Sequence, residues 1–575
     1  MSNDATLMLE LAEHLALTAA PMVAATLFAA RRGVRNVPIL LAIGLAAGGV
    51  AAILAFWAFY ADPLVGKSFS YFVLFGSVLL AGWSLWERDL ETALLRQLAT
   101  PFVLWALGSA FLLALGFVHG GIHNPLGTGG TRFSGQLPSD NDIPRYFSEW
   151  FYFHGHSGTP PEFPGEWLAS DRPPLQVGYV LLERVFGWDD TFDLRYQVLG
   201  VVLQQLWIVG LWALLLAGRV GRVTRGLAIL TVLVSDVAIV NGFFVWPKML
   251  PTAMLLGAAA LLLTPLWPGL RRNLGGAALV AALLALAMLA HGASVFGAIA
   301  LVLVAVYRGL PGWRWIGVGV AVGVVLLGSW SAYQKYGDPP GDRLTKWMLA
   351  GVPEVDGRST SEAVEDAYRE AGVGGALHNK AENFVTMAGG RPMVELLERV
   401  VDATETGDFS LALREIRLLF FFDLLPSLGL LLAVPLAMVV GRRRGRLRPA
   451  EWRFALTCFA TLAVGAVAWG LLLFGNLPAR TILHAGSFLL PVLGFCGAVV
   501  GIRAVFPRFA VYFVAAAAVL MLAVYVPVLD PLPGTEFSFA MALIAAASLA
   551  AFGALSFRGD AVSSELPAQV LPVQG

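Results

Sequence analysis

Charge is what this chain has least of. Of its 575 residues only 14% are Asp, Glu, Lys or Arg, against about a quarter in an ordinary soluble protein. With 39 basic and 39 acidic side chains the net charge is zero, so no bulk field favours nucleic acid as a partner. There are two cysteines, Cys458 and Cys496, both inside apolar runs, which excludes a disulfide scaffold and a thiolate metal site. No phosphate-binding glycine loop, dinucleotide fingerprint, G-x-S-x-G elbow or H-E-x-x-H pair occurs, which argues against a nucleotide-driven cytosolic active site.

Apolar sequence fills the rest. Hydrophobic residues make up 57% of the chain and mean hydropathy is +0.72. A helix crossing a bilayer needs about 20 apolar residues, and this sequence supplies that many times over. An all-α, polytopic helical membrane protein with about 14–15 transmembrane helices and two long outer loops is expected. Candidate spans fall at 12–30, 37–60, 68–86, 98–118, 191–217, 225–246, 249–266, 274–291, 293–307, 314–333, 417–441, 452–475, 483–503, 509–528 and 537–556. The short pair at 274–307 also fits a re-entrant hairpin. The N-terminal stretch lacks a basic region ahead of its apolar run and reads as a first span, not as a cleaved signal peptide.

Orientation follows from where Arg and Lys sit. Basic clusters occur at 31–35, 86–97, 219–225, 270–272, 308–314, 441–448 and 506–508, in alternate loops. The positive-inside rule makes these cytoplasmic. Both long loops, 119–173 and 334–414, then lie on the outer face. The expected organisation is a helical N-terminal unit (1–118), a first outer loop with an acidic motif and interfacial helices (119–190), central spans (191–333), a second outer loop acting as a helical lid (334–416), C-terminal spans (417–557) and a disordered cytoplasmic tail (558–575). Within these loops, 143–153 is dense in aromatics and predicts an interfacial helix with its rings toward lipid. Ser359 and Glu362 have the spacing of a capping box, and 394–401 is amphipathic.

Ionisable side chains beside lipid are expensive and mark function by default. In SDND at 139–142, Asp140 and Asp142 suit a general base and a partner that orients it, although Ser, Asp and Asn also favour helix starts. In 143–153, Arg145 is a basic group close to them. Asp171 and Arg172 precede two prolines that stiffen the return to the membrane, where a guanidinium can grip a phosphate with its planar fork. Lys248, alone between two spans, can bind an anion or snorkel to headgroups. His291 ends a helix beside small residues, and Arg480 and His484, spaced i, i+4, share one helix face. All of these fall on the outer side, although they come from four separate stretches, which points to one site at the outer membrane boundary. His119, His123, His154 and His156 are too loosely spaced for a zinc site. Asp236 lies within a span and suits a buried polar partner or a proton relay.

The acidic outer loop SDND, the interfacial segment after it and the basic residues at outer helix ends resemble the GT-C superfamily of membrane glycosyltransferases, which use lipid-phosphate sugars. SDRPPLQVGY at 170–179 is similar to a segment of bacterial members. The resemblance covers roughly residues 98–500; here the acidic loop follows the fourth span, whereas in the superfamily it follows the first. It implies an inverting single displacement, in which Asp140 or Asp142 deprotonates an acceptor hydroxyl that attacks a sugar carried on a polyprenyl phosphate. Arg145, Asp171, Arg172, Lys248, His291, Arg480 and His484 would bind the substrate and its leaving phosphate. The partners implied are that donor, a glycan or lipid acceptor and membrane lipids, in a bacterial inner membrane with the site facing the periplasm. No cofactor is firmly implied, though a divalent cation between Asp140 and Asp142 is compatible with the motif. Two rival expectations are an oligosaccharide polymerase or O-antigen-ligase-like enzyme, centred on Arg480 and His484, and a secondary transporter, centred on Asp236.

Overall fold

The computed structural model describes residues 3–86, 90–135, 137–188, 191–443, 449–475, 488–528 and 537–558. Among them no strand forms; Phe163 and Trp167 make one isolated antiparallel bridge. The all-α expectation holds, for a physical reason: in lipid the backbone must satisfy its own hydrogen bonds, and a helix does so within one segment. Eight described helices are long and apolar enough to cross a membrane, among them Val37–Ala61, Thr92–Gly116, Phe192–Ala217 and Pro449–Leu472. A ninth is a pair, Arg222–Leu233 and Asp236–Phe244, bent by 51°. Five shorter apolar helices complete the set: Met249–Leu262, Leu274–Ala290, Gly292–Tyr307, Leu489–Val505 and Phe509–Tyr525.

Burial divides these helices into a centre and a rim. Phe192–Ala217 and Met249–Leu262 are sheathed by other helices, whereas Pro63–Trp86 and Trp313–Gly337 expose most of their apolar surface. Small residues let the central helices approach closely, as in other membrane bundles. A Cβ on Gly178 would lie 2.2 Å from the Ala52 carbonyl oxygen, and one on Gly210 would lie 2.6 Å from that of Ala253. Phe539–Ser556 packs back against Thr92–Gly116, tying the end of the chain to its fourth span.

Two local expectations need correction. A continuous span over 417–441 is not found. The segment breaks into Ser410–Phe422, a turn at Leu424–Ser427, a 3-10 stretch Gly429–Ala433 and Val434–Arg443. Pro426, Pro435 and Gly429 at φ 51° interrupt it, since proline removes a helix donor and positive φ leaves the helical region. The aromatic helix Ile143–His154 exists, but it turns Phe147 and Phe151 inward, Phe151 meeting Phe56 at 5.2 Å. Only part of the aromatic set is turned inward in this way, since Phe153 stays 54% exposed. The tail beyond Arg558 lies outside the described residues.

The second long loop, 334–414, contains the expected capping box. Ser359 N–H donates to Glu362 Oε2 (2.8 Å) and Glu362 N–H to Ser359 Oγ (3.3 Å), opening Thr360–Met387. The start of this loop is locked to the first one. Asp338 Oδ2 accepts from Ser170 N–H (2.8 Å), Ser170 Oγ donates to the Asp338 carbonyl (2.6 Å), and Gln334 Nε2 donates to the Ser170 carbonyl (3.0 Å). Farther on, Thr360–Met387 leans on Pro449–Leu472, where Asn383 donates to the Gly470 carbonyl (3.0 Å). The segment therefore has one end bonded to the first long loop and the other to Pro449–Leu472.

Candidate functional site

Three buried amides and a phenol brace the turn that carries Asp140. Asn141 Nδ2 donates to the Leu126 carbonyl (3.0 Å), and its own carbonyl accepts from Tyr196 Oη (2.7 Å). Gln176 Nε2 reaches both Tyr196 Oη (2.9 Å) and the Val245 carbonyl (3.0 Å). Gln204 Oε1 accepts from the N–H groups of Met249 and Leu250 (2.9 and 3.0 Å), two of the orphan donors at that helix start. A satisfied network of this kind rigidifies its surroundings. It ties the acidic turn Ser139–Asn141 to the segment bearing Lys248 through side chains from two other helices.

Beside the acidic turn lies a cavity of about 290 Å³ whose walls include Asp140, Arg172, His291, Trp167, Trp246 and Trp347. The 3-10 turn Ser139–Asn141 presents Asp140 to it. The Arg172 guanidinium lies 3.5 Å from Asp140 Oδ1 and 4.2 Å from the Trp167 ring centre. Arg172 is 6% exposed, and neither its Nε nor its Nη2 finds a hydrogen-bond acceptor among the described residues. Burial works against its charge, while Asp140 and Asp171 favour it. A buried guanidinium with spare donors at a cavity wall has the chemistry to hold an anion.

Lys248 does not line the cavity but touches two residues that do, with Nζ 3.1 Å from His291 Nε2 and 3.7 Å from the Trp246 ring centre. His291 Nδ1 accepts from Ala293 N–H (3.2 Å), so the proton of a neutral imidazole sits on Nε2 and points at the lysine. Burial, helped by Arg172 and opposed by Asp140, lowers the Lys248 pKa well below the usual lysine range. A neutral amine is what the His291 Nε2–H geometry calls for.

The structure brings together part of the expected set. Asp140, Arg172, Lys248 and His291 converge, from two loops and a helix end. Asp142 and Arg145 do not join them: Arg145 Nε binds Asp193 (2.6 Å), with Asp142 at 3.6 Å and Glu149 at 3.8 Å. Burial raises the pKa of Asp142 against the pull of Arg145. Two residues apart on a tight turn, the two carboxylates face different neighbours. Asp171 supports the site from behind; its Oδ2 accepts from Leu168 N–H (2.9 Å) and lies 3.8 Å from Arg343. Burial raises its pKa, opposed by that hydrogen bond and by Arg343. Arg480 and His484 lie outside the described residues. No group of three or more His, Cys, Asp or Glu side chains that could hold a metal ion occurs among the described residues.

Sequence reasoning missed the aromatic walls and the bracing amides. Trp167, Trp246 and Trp347 read as interfacial anchors in a membrane protein, and only Trp246, two residues before Lys248 in VWPK, carried a local hint. Gln176 and Gln204 sit at or within apolar helices, where buried amides are costly unless paired; that anomaly was the available signal. Arg343 grips the Glu166 and Pro353 carbonyls (both 2.6 Å) and stacks on Trp167 at 4.5 Å, closing the loop that carries Asp171 and Arg172. No family model, curated protein or solved structure matches the chain.

Proposed function

We propose that this chain is a GT-C-like membrane glycosyltransferase that moves a sugar from a polyprenyl phosphate to a hydroxyl of a glycan or lipid at the outer face of a bacterial inner membrane. The observation that carries this reading is the buried Arg172 with unsatisfied donors, 3.5 Å from the Asp140 carboxylate in a cavity shared with His291. An anion receptor beside a proton acceptor suits a reaction whose leaving group is a phosphate. Asp140 takes the proton of the acceptor hydroxyl as its oxygen bonds to the anomeric carbon. The bond from that carbon to the phosphate oxygen breaks, its electrons leave with the phosphate, and the configuration inverts. Arg172 and protonated Lys248 stabilise the charge that develops there. The tryptophan faces suit the apolar side of a sugar ring. Asp142 drops to a supporting role in this reading, and Arg480 and His484 remain candidate phosphate ligands on sequence grounds alone.

The test is to reconstitute the protein with a panel of polyprenyl-phosphate sugars and follow release of the lipid phosphate. Asp140→Asn is expected to lower turnover by roughly 10²–10⁴-fold, the usual worth of a general base, with an unchanged melting temperature. Full release by Asp140→Asn would remove the carboxylate from the mechanism.

One observation favours a second reading, a secondary transporter. Asp236 is fully buried at the 51° break between Arg222–Leu233 and Asp236–Phe244, and its carboxylate oxygens have no hydrogen-bond partner among the described residues. Broken helices with an intramembrane acid are a transporter device. Proteoliposome uptake that Asp236→Asn abolishes, with no sugar transfer by the wild type, would select it.

A further inference from the structure

The break in the segment 424–443 leaves the surface beside Val434–Arg443 open. Because Val434–Arg443 is short and starts late, it does not cover Pro449–Leu472 along its length. Between them runs a groove of about 710 Å³. Its sides are apolar, with Met438, Val439, Leu456 and Phe459 among them, and its end carries Arg442, Arg443 and Trp452.

Among the described residues that line the groove, the charge at that end is of one sign. Arg442 and Arg443 are exposed at the last turn of their helix. Glu451, the acid closest in sequence across the gap, turns away to Thr224, whose Oγ1 donates to it at 3.1 Å, and Glu451 is buried. Two guanidiniums and an indole therefore meet where apolar walls stop. An acyl chain fits the walls, a phosphodiester suits the guanidiniums, and tryptophan favours the headgroup level. The basic run 441–448 assigns this end to the cytoplasmic leaflet, where acidic lipids supply such headgroups and basic pockets between spans take them.

We infer that the groove between Val434–Arg443 and Pro449–Leu472 is a binding site for an acidic phospholipid, its phosphate on Arg442 and Arg443 and one acyl chain along Met438, Leu456 and Phe459. The site is independent of the sugar-transfer reading. It requires no residue of the cavity beside Asp140.

Native mass spectrometry of the detergent-solubilised full chain tests this, after delipidation and titration with phosphatidylglycerol or phosphatidylcholine. The wild type is expected to retain one tightly held phosphatidylglycerol and to prefer it over phosphatidylcholine. Arg442→Gln with Arg443→Gln should cut that preference by roughly thirty-fold, the worth of two basic contacts at a headgroup. Leu456→Trp, which fills the groove and leaves both arginines, should expel the lipid as well. Equal retention of the two lipids by the wild type, or undiminished phosphatidylglycerol in both variants, would overturn the assignment. So would a mass of two chains that the Leu456→Trp change dissociates, which would give the groove to a second copy.

Discussion

Replacing Arg172 tests the anion-receptor argument most directly. Its guanidinium is buried, 3.5 Å from Asp140 Oδ1, and keeps two donors unused among the described residues. At an effective dielectric constant of about 20, charges at that separation attract by about 5 kcal/mol before desolvation is counted. Desolvation of Arg172 offsets much of this, and Asp140 borders the cavity, so the net stabilisation is on the order of 1–3 kcal/mol. The unused donors predict a different effect. If they serve an anion that grows in charge during reaction, deleting them costs roughly 10²–10³-fold in kcat, about 3–4 kcal/mol. Arg172→Met removes both contributions while keeping bulk over Trp167. Arg172→Lys restores a point charge without the fork, and it is expected to fall between, because the two side chains are not equivalent at a forked site. Release of lipid phosphate gives kcat, and thermal unfolding in the same detergent gives stability. Transfer by Arg172→Met within about threefold of wild type, alongside a lowered melting temperature, would mean that Arg172 only anchors the acidic turn, and the receptor argument would fail.

Asp142 gives a prediction about pH. Burial raises its folded pKa, so the folded chain binds this proton more tightly than the unfolded chain does. The resulting stability is complete below the usual carboxylate range and is lost as pH rises through the raised value. Asp142→Asn should therefore melt at or above the wild type at neutral pH and lose that advantage in acid; a wild type more stable at neutral pH would contradict the sign. Lys248, with its pKa lowered, should take up a proton when a phosphate binds. Calorimetry of inorganic phosphate binding should show affinity rising as pH falls, and Lys248→Met should flatten the dependence; an equally steep profile in the variant would assign the proton elsewhere. Asp338→Ala leaves the buried Ser170 N–H without its acceptor, at a cost of about 1–3 kcal/mol. Faster hydrogen exchange across 334–358 is expected, and unchanged protection would show that the two long loops are held together by other contacts.

Hydropathy and spacing are one-dimensional quantities, and they determined what depends on them. The all-α membrane class, the extents of spans such as Val37–Ala61, and the capping box at Ser359 and Glu362 were legible from composition and period alone. The alternation of basic loops also put Asp140, Arg172, Lys248 and His291 on one side, and these four do meet. Tertiary structure decided the rest. Asp140 and Asp142 are indistinguishable by sequence pattern, because a tight turn has no repeating face; only the neighbours of the folded turn send one to the cavity and the other to Arg145 and Asp193. The tryptophans that wall the cavity and the Gln176–Tyr196–Asn141 network that braces the acidic turn come from segments far apart in the chain. Their meeting depends on how the helices pack, a property that no local window of residues contains.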